Sequence, residues 1–226
     1  MSATTSKADT ERRLEEARCR IRTAKQHGGV FLDLSGLWLT DLPVELYELK
    51  TLRKLWLTSN RLTSLPAEFL WLKELRVLCL SHNLLTDLPR EFGRLKSLMD
   101  LDIIHNRLTS LPEQLGTLRA LTALDLRHNQ LTRVPAQLGG LKVLTKLDLS
   151  YNQLTSVPRE FGMLKALREL DLAYNHLLTV PVELGNLTAL TELNLSRNQL
   201  TSIPEELESL RPLTRIDLAY NPLAAW

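Results

Sequence analysis

Apolar residues along this chain keep one rhythm. The pattern L-x-x-L-x-L-x-x-N-x-L-x-x-(L/V)-P-x-x-(L/F)-x-x-L-x-x falls on itself almost from end to end when the sequence is shifted by 23 residues. Its asparagine returns at Asn60, Asn83, Asn106, Asn129, Asn152, Asn175, Asn198 and Asn221, and its proline at Pro43, Pro66, Pro89, Pro112, Pro135, Pro158, Pro181 and Pro204. Eight of the ten prolines thus share one column, a register too long to arise by chance. Such a unit cannot bury its apolar side alone, so consecutive units are predicted to stack into a solenoid around one continuous core.

Within a unit, the alternation at Leu147 and Leu149 predicts a short strand with leucines inward and the intervening residue outward. Parallel strands from successive units then make one curved sheet. The asparagine turns the chain off the strand, where its amide satisfies backbone groups that a buried turn leaves unpaired, so that column is structural. After each proline, a segment such as PREFGMLKA predicts a short helix or 3₁₀ turn on the convex side, with Phe161 and Leu164 inward and Gly162 permitting a tight path. Gly93, Gly116, Gly139 and Gly185 belong to the same column.

The ends depart from this pattern. Residues 1–5 are polar and expected to be disordered. From about Ser6 to His27, Leu14, Ala17, Ile21 and Ala24 share one helical face, Ser6 with Asp9 resembles a capping box, and Gly28-Gly29 is a stop signal. This helix is predicted to cover the open first unit, where Leu37 replaces asparagine. The last unit starts at Leu213 and stops at Trp226, leaving Trp226 to shield the end, or the end to continue or to pair with a partner. The division is residues 1–29 as disordered start and capping helix, and 30–226 as the repeat domain with about nine strands.

With the core and turn positions committed, recognition falls to the variable columns of the concave face. Strands about 4.8 Å apart make residues 23 apart lateral neighbours on a face roughly 40 Å long. Toward the N-terminal end Trp56, Val77, Cys79 and Ile104 form an apolar anchor with Phe31 and Trp38, although those last two also suit packing under the helix. Farther along, Asp100, Asp102, Asp125, Asp148, Asp171, Glu169 and Glu192 make the face acidic, and a basic or mixed-charge ligand would relieve their repulsion. Leu-Asp-Leu is equally readable as ordinary repeat spelling. Just before the asparagines run His82, His105, His128, Tyr151, Tyr174 and Arg197, a flanking contact strip. The same histidines raise a metal site or a pH switch as an alternative, but no carboxylate or cysteine is spaced to complete a tetrahedral set.

Charge and cysteine content narrow the classes. Net charge is +2 overall: residues 1–29 carry seven Lys/Arg against four Asp/Glu, or +3, which leaves 21 against 22, or −1, for the rest. That body is not a nucleic-acid binder's. Cys19 and Cys79 do not form a disulfide framework, the N-terminal stretch has no apolar signal core, and no run is long enough to span a bilayer, so a cytoplasmic setting is expected. Asn186-Leu-Thr and Asn194-Leu-Ser match the glycosylation pattern without a secretion route. No hydrolase, zinc-protease or phosphate-loop motif is present, no cofactor is implied, and a non-enzyme is expected.

The spelling of residues 144–164 and 190–210, L-x-x-L-D-L-S-x-N-Q-L-T-x-(V/I/L)-P-x-E-(L/F)-G-x-L, resembles the intracellular leucine-rich repeats of the Ras-group. That group includes the Ras–Raf scaffold and Ras-suppressor proteins, plant intracellular Ras-group proteins, and the Scribble and Erbin repeat domains. The opening segment IRTAKQHGGVFLDLSGLWLTDLP, residues 21–43, resembles the start of many bacterial, amoebal and Roco-type repeat domains. The resemblance implies an α/β, right-handed horseshoe and a non-catalytic scaffold, with small-GTPase or phosphatase signalling as its setting. The expected function is capture of one or more partner proteins on the concave face by a monomer. Pairing through the C-terminal end is a further alternative.

Overall fold

The computed structural model describes residues 7–207, 210 and 212–223. The expectations for residues 1–5, for Ser6 as a cap and for Trp226 as an end shield concern positions outside that description. An α-helix, α1 (Lys7–Gln26), is followed by nine three-residue strands: β1 (Phe31–Asp33), β2 (Lys54–Trp56), β3 (Val77–Cys79), β4 (Asp100–Asp102), β5 (Ala123–Asp125), β6 (Lys146–Asp148), β7 (Glu169–Asp171), β8 (Glu192–Asn194) and β9 (Arg215–Asp217). They form one parallel sheet in chain order, and each residue pairs with the one 23 positions on, as Lys146 does with Glu169. On the far side, a 3₁₀ turn follows every proline of the repeat, from Val44–Glu48 to Glu205–Leu207.

The core is the leucine lattice. Leu144, Leu147, Leu149, Leu154, Phe161 and Leu164 of one unit are all at most 1% exposed. Helix α1 closes the first unit by burying Ala17 and Ile21, with Leu14 and Ala24 packed at the margin. It ends where predicted: Gly28 and Gly29 have φ of +88° and +63°, and Gly29 N–H donates to the Ala24 carbonyl at 2.8 Å, the 6→1 bond of a helix stop. At the opposite end Ile216, in the column whose other members are at most 2% exposed, is 41% exposed.

Each asparagine stitches three places together. Asn152 Oδ1 accepts the Leu131 N–H at 3.0 Å, while its Nδ2 donates to the Leu126 and Leu149 carbonyls, both at 3.0 Å. The interior asparagines repeat this scheme, which is why a buried turn costs the fold no unpaired backbone groups.

The glycine column on the convex side answers to close approach. A Cβ on Gly116 would lie 2.0 Å from the Gln137 carbonyl oxygen, and one on Gly162 would lie 2.3 Å from that of Glu183. Bare backbone lets consecutive convex turns touch. A second set of ties was not evident in the sequence: Lys96, Arg119, Lys142 and Lys165 donate to the carbonyls of Thr117, Gly140, Met163 and Asn186, the last residue of the next unit's convex turn in each case. Cations there suit the negative end of a helical turn.

Candidate functional site on the concave face and its edge

The sheet's twofold side-chain alternation places the even columns in the core and leaves two rows on the concave face. Phe31 and Trp56, first and last residues of adjacent strands, meet edge to face with ring centroids 4.9 Å apart, and both stay open to solvent at 46% and 40% exposure. Val77, Cys79 and Ile104 continue from them as half-buried neighbours. Burial and the nearby Asp102 and Asp100 push the Cys79 thiol up to about 11, so it is an apolar surface and not a thiolate nucleophile. Trp38 stands apart from this pair: Arg61 lies 4.5 Å from its ring centroid and Arg13 of α1 5.7 Å, which makes it a cation-stacked joint between the cap and the second unit.

The aspartates of the middle strands have a structural job. The Oδ1 of Asp102, Asp125, Asp148 and Asp171 each accepts the N–H two residues on, holding the start of the turn; Asn194 does the same for Ser196. Asp148 is only 7% exposed and also accepts from the Ser150 hydroxyl at 2.6 Å. The residues are therefore sunk at the base of the face, while Asp100, Glu169 and Glu192 stand out as exposed carboxylates. Burial and Asp148 push the Asp125 carboxyl up to about 6, and burial raises Asp171 as well. The face supplies some of its own cations: Arg127 lies 3.1 Å from Asp125 and 3.9 Å from Asp148, and Lys146 lies 2.9 Å from Glu169.

Along the edge of this face the strip before the asparagines becomes a stack. His82–His105, His105–His128, His128–Tyr151 and Tyr151–Tyr174 have ring centroids 4.5, 4.1, 4.1 and 4.0 Å apart and planes within 21° of parallel. The Arg197 guanidinium extends it, 5.0 Å from the Tyr174 ring and 3.9 Å from that of Tyr220. The cause is a backbone feature the leucine pattern does not announce: all residues of this column from Ser59 to Tyr220 have φ between 51° and 59°. A left-handed residue with a side chain is strained, and each one from Ser59 to Arg197 is held by donating its N–H to the following unit, as Tyr151 does to the Ala173 carbonyl at 3.0 Å. Gly36 at the head of the column and three histidines, a residue type tolerant of this conformation, were the available signal. Near-parallel rings cannot converge on one tetrahedral centre, and among the described residues no group of three or more His, Cys, Asp or Glu side chains is placed to hold a metal ion.

A parallel-strand solenoid with one open, variable face and a capped first unit defines a class of repeat protein built for binding across a sheet. The chain belongs to the leucine-rich repeat family, whose model matches residues 50–108, 73–131, 121–177 and 180–223. Domains of this family typically mediate protein–protein interaction and are generally non-catalytic binding modules. No curated protein matches the chain. Among solved structures it is similar to a leucine-rich repeat protein of Leptospira interrogans (35% identity, TM-score 0.76, over 91% of this chain and 59% of that one). It is also similar to the plant peptide hormone receptor RGFR1 in complex with RGF2 (31%, 0.73, over 80% and 30%) and to the leucine-rich effector YopM of Yersinia pestis (26%, 0.78, over 97% and 57%). The chain thus spans less than two thirds of each of these. No helix among the described residues is long and apolar enough to cross a membrane.

Proposed function

We propose that this protein is a protein-binding module whose partner docks on the concave face, anchored on Phe31 and Trp56. The observation that carries this reading is that edge-to-face pair, which leaves two large rings side by side in solvent on the concave face. Exposed paired aromatics are the usual kind of interface hot spot. Val77, Cys79 and Ile104 widen the apolar contact, the exposed Asp100, Glu169 and Glu192 favour a partner segment carrying Lys or Arg, and the ring stack from His82 to Arg197 borders the contact as a polar-edged rim. That RGFR1, a plant peptide hormone receptor, shares this fold supports a polypeptide ligand. The L-D-L-S-x-N-Q-L-T spelling supports an intracellular, Ras-group setting, as a scaffold in small-GTPase or phosphatase signalling.

Affinity capture with the intact chain, Trp56→Ala and Trp71→Ala tests the anchor, because Trp71 is even more exposed than Trp56 but lies on the convex turn. Loss of partner with Trp56→Ala alone is the expected result. Equal recovery with all three proteins would remove the anchor from the concave face.

A further inference from the structure

A six-residue link carries the chain from the last residue of a convex turn to the residue before the next strand. Seven such links, from 48–53 to 186–191, make one flank of the solenoid. Charge is segregated onto this flank. The seven links hold ten Lys or Arg against two Asp or Glu, a net +8 in a chain whose total is +2. All ten cations are exposed, and six of them form one column at intervals of 23 residues from Lys50 to Lys165.

The protein does not neutralise these cations itself. Among the described residues none of the ten lies within ion-pair distance of a carboxylate, whereas Arg127 and Lys146 on the concave face both do. Lys96, Arg119, Lys142 and Lys165 are held by carbonyls, which orient a charge without cancelling it. Of the two acids, Glu48 is taken by Lys25 of α1 at 2.9 Å. Burial, and then the charges of Arg119 and Lys165, hold the Lys142 ammonium below its usual value, as like charges in a row do. An anionic surface laid on the flank would relieve that repulsion.

Apolar side chains standing between the cations decide the kind of anion. Trp71, Met99, Val143 and Met163 lie one in each of four links, all between 41% and 54% exposed. Single-stranded nucleic acid is held by cations together with free aromatic faces. The one aromatic ring in these links, Trp71, already has Lys50 Nζ 4.7 Å from its centroid. A bilayer interface instead takes cations at its headgroups and apolar side chains just below them. We propose that this flank docks the protein on the surface of an anionic phospholipid bilayer. The cations meet the headgroups, and Trp71, Met99, Val143 and Met163 enter beneath. The concave face stays open, so docking is independent of partner capture at Trp56.

Co-sedimentation with vesicles of phosphatidylcholine and phosphatidylserine in equal parts, and with vesicles of phosphatidylcholine alone, provides the test. Binding of the intact chain to the anionic vesicles only, weakening as salt rises, is expected. Each cation near such a surface multiplies partition about fivefold, so Lys73→Gln with Arg76→Gln, two exposed side chains, weakens it about 25-fold. Arg107→Gln with Arg133→Gln removes the same charge from the opposite flank and leaves binding within about twofold. Met99→Ser with Val143→Ser weakens binding without changing its salt dependence, and Trp56→Ala binds vesicles as the intact chain does. Unfolding curves establish that each variant is folded. No sedimentation with anionic vesicles, equal loss from the two glutamine pairs, or full binding by the serine pair would each overturn the proposal. Tighter binding of a short DNA duplex than of the vesicles would overturn it in favour of a nucleic-acid face.

Discussion

His128 and Tyr151 stack with ring centroids 4.1 Å apart and planes 17° from parallel, at the point where the edge column passes from titratable imidazoles to phenols. His128 also has His105 on its other face at 4.1 Å. Burial lowers the pKa of His128, with Arg127 adding to the shift and Asp148 opposing it; for His105, burial comes first and then His128, His82 and Arg127.

The stack is therefore predicted to weaken in acid. A base whose folded pKa is depressed binds protons more readily when unfolded, so its contribution to stability is intact above the ordinary histidine value of about 6.5 and declines as pH falls below it. His128→Tyr continues the pattern of Tyr151 and Tyr174 and removes one of the titrating groups. Urea midpoints measured between roughly pH 5 and pH 8 should fall less steeply on the acid side for this variant than for the parent. Parallel curves would show that stacking, and not protonation, decides the column.

Asn152→Ala is predicted to be among the most damaging single changes away from the leucines. It strands one N–H and two carbonyls in a buried turn at once, a loss of about 3 kcal/mol or more. The same substitution at Asn221, whose equivalent bonds are only partly buried, should cost clearly less, because water can reach the groups it releases. Unfolding midpoints of the two variants check the ranking.

Gly116→Ala asks for a methyl group 2.0 Å from a carbonyl oxygen of the next unit. The convex turns must move apart, at a cost of about 1–3 kcal/mol typical of overpacking. Spectroscopic unfolding should register the loss, and a neutral Gly116→Ala would mean that the convex turns are free to separate.

These tests also mark how far the sequence could be read. The period of 23, the inward leucines, the asparagine turns, the helix over Ala17 and Ile21 and the convex glycines were legible, because each is a requirement that a unit repeats against its identical neighbours. The columns also named which surface residues become lateral neighbours, which is how Phe31, Trp56 and the histidine strip were singled out. What did not show were relations set by the sign of a dihedral or by the space between units. The left-handed backbone that stacks His82 through Tyr174, the sinking of Asp148 onto its own turn, and the ties from Lys96 and Lys165 to the next convex turn depend on distances that a column of letters does not contain.

Asp125→Asn separates the structural from the electrostatic part of the acidic face. The carboxyl accepts the Arg127 N–H at 3.2 Å, a bond that an amide oxygen can also accept, since Asn194 accepts the equivalent N–H of Ser196 at 3.1 Å. The charge is another matter. Burial and Asp148 raise the folded pKa to about 6, above the ordinary carboxylate value, so the folded protein binds this proton more tightly than the unfolded chain does. Its ionisation therefore destabilises the fold as pH rises through the window from about 4 to 6, and the full cost is present at neutral pH. Arg127 at 3.1 Å offsets part of it. Asp125→Asn should raise stability by about 1–2 kcal/mol at pH 7, with the advantage vanishing below about pH 4, where the parent carboxyl is protonated in both states. Urea unfolding of both proteins across that range checks the sign, and a variant less stable than its parent at pH 7 would show that the Arg127–Asp125 contact outweighs the cost of burying the charge.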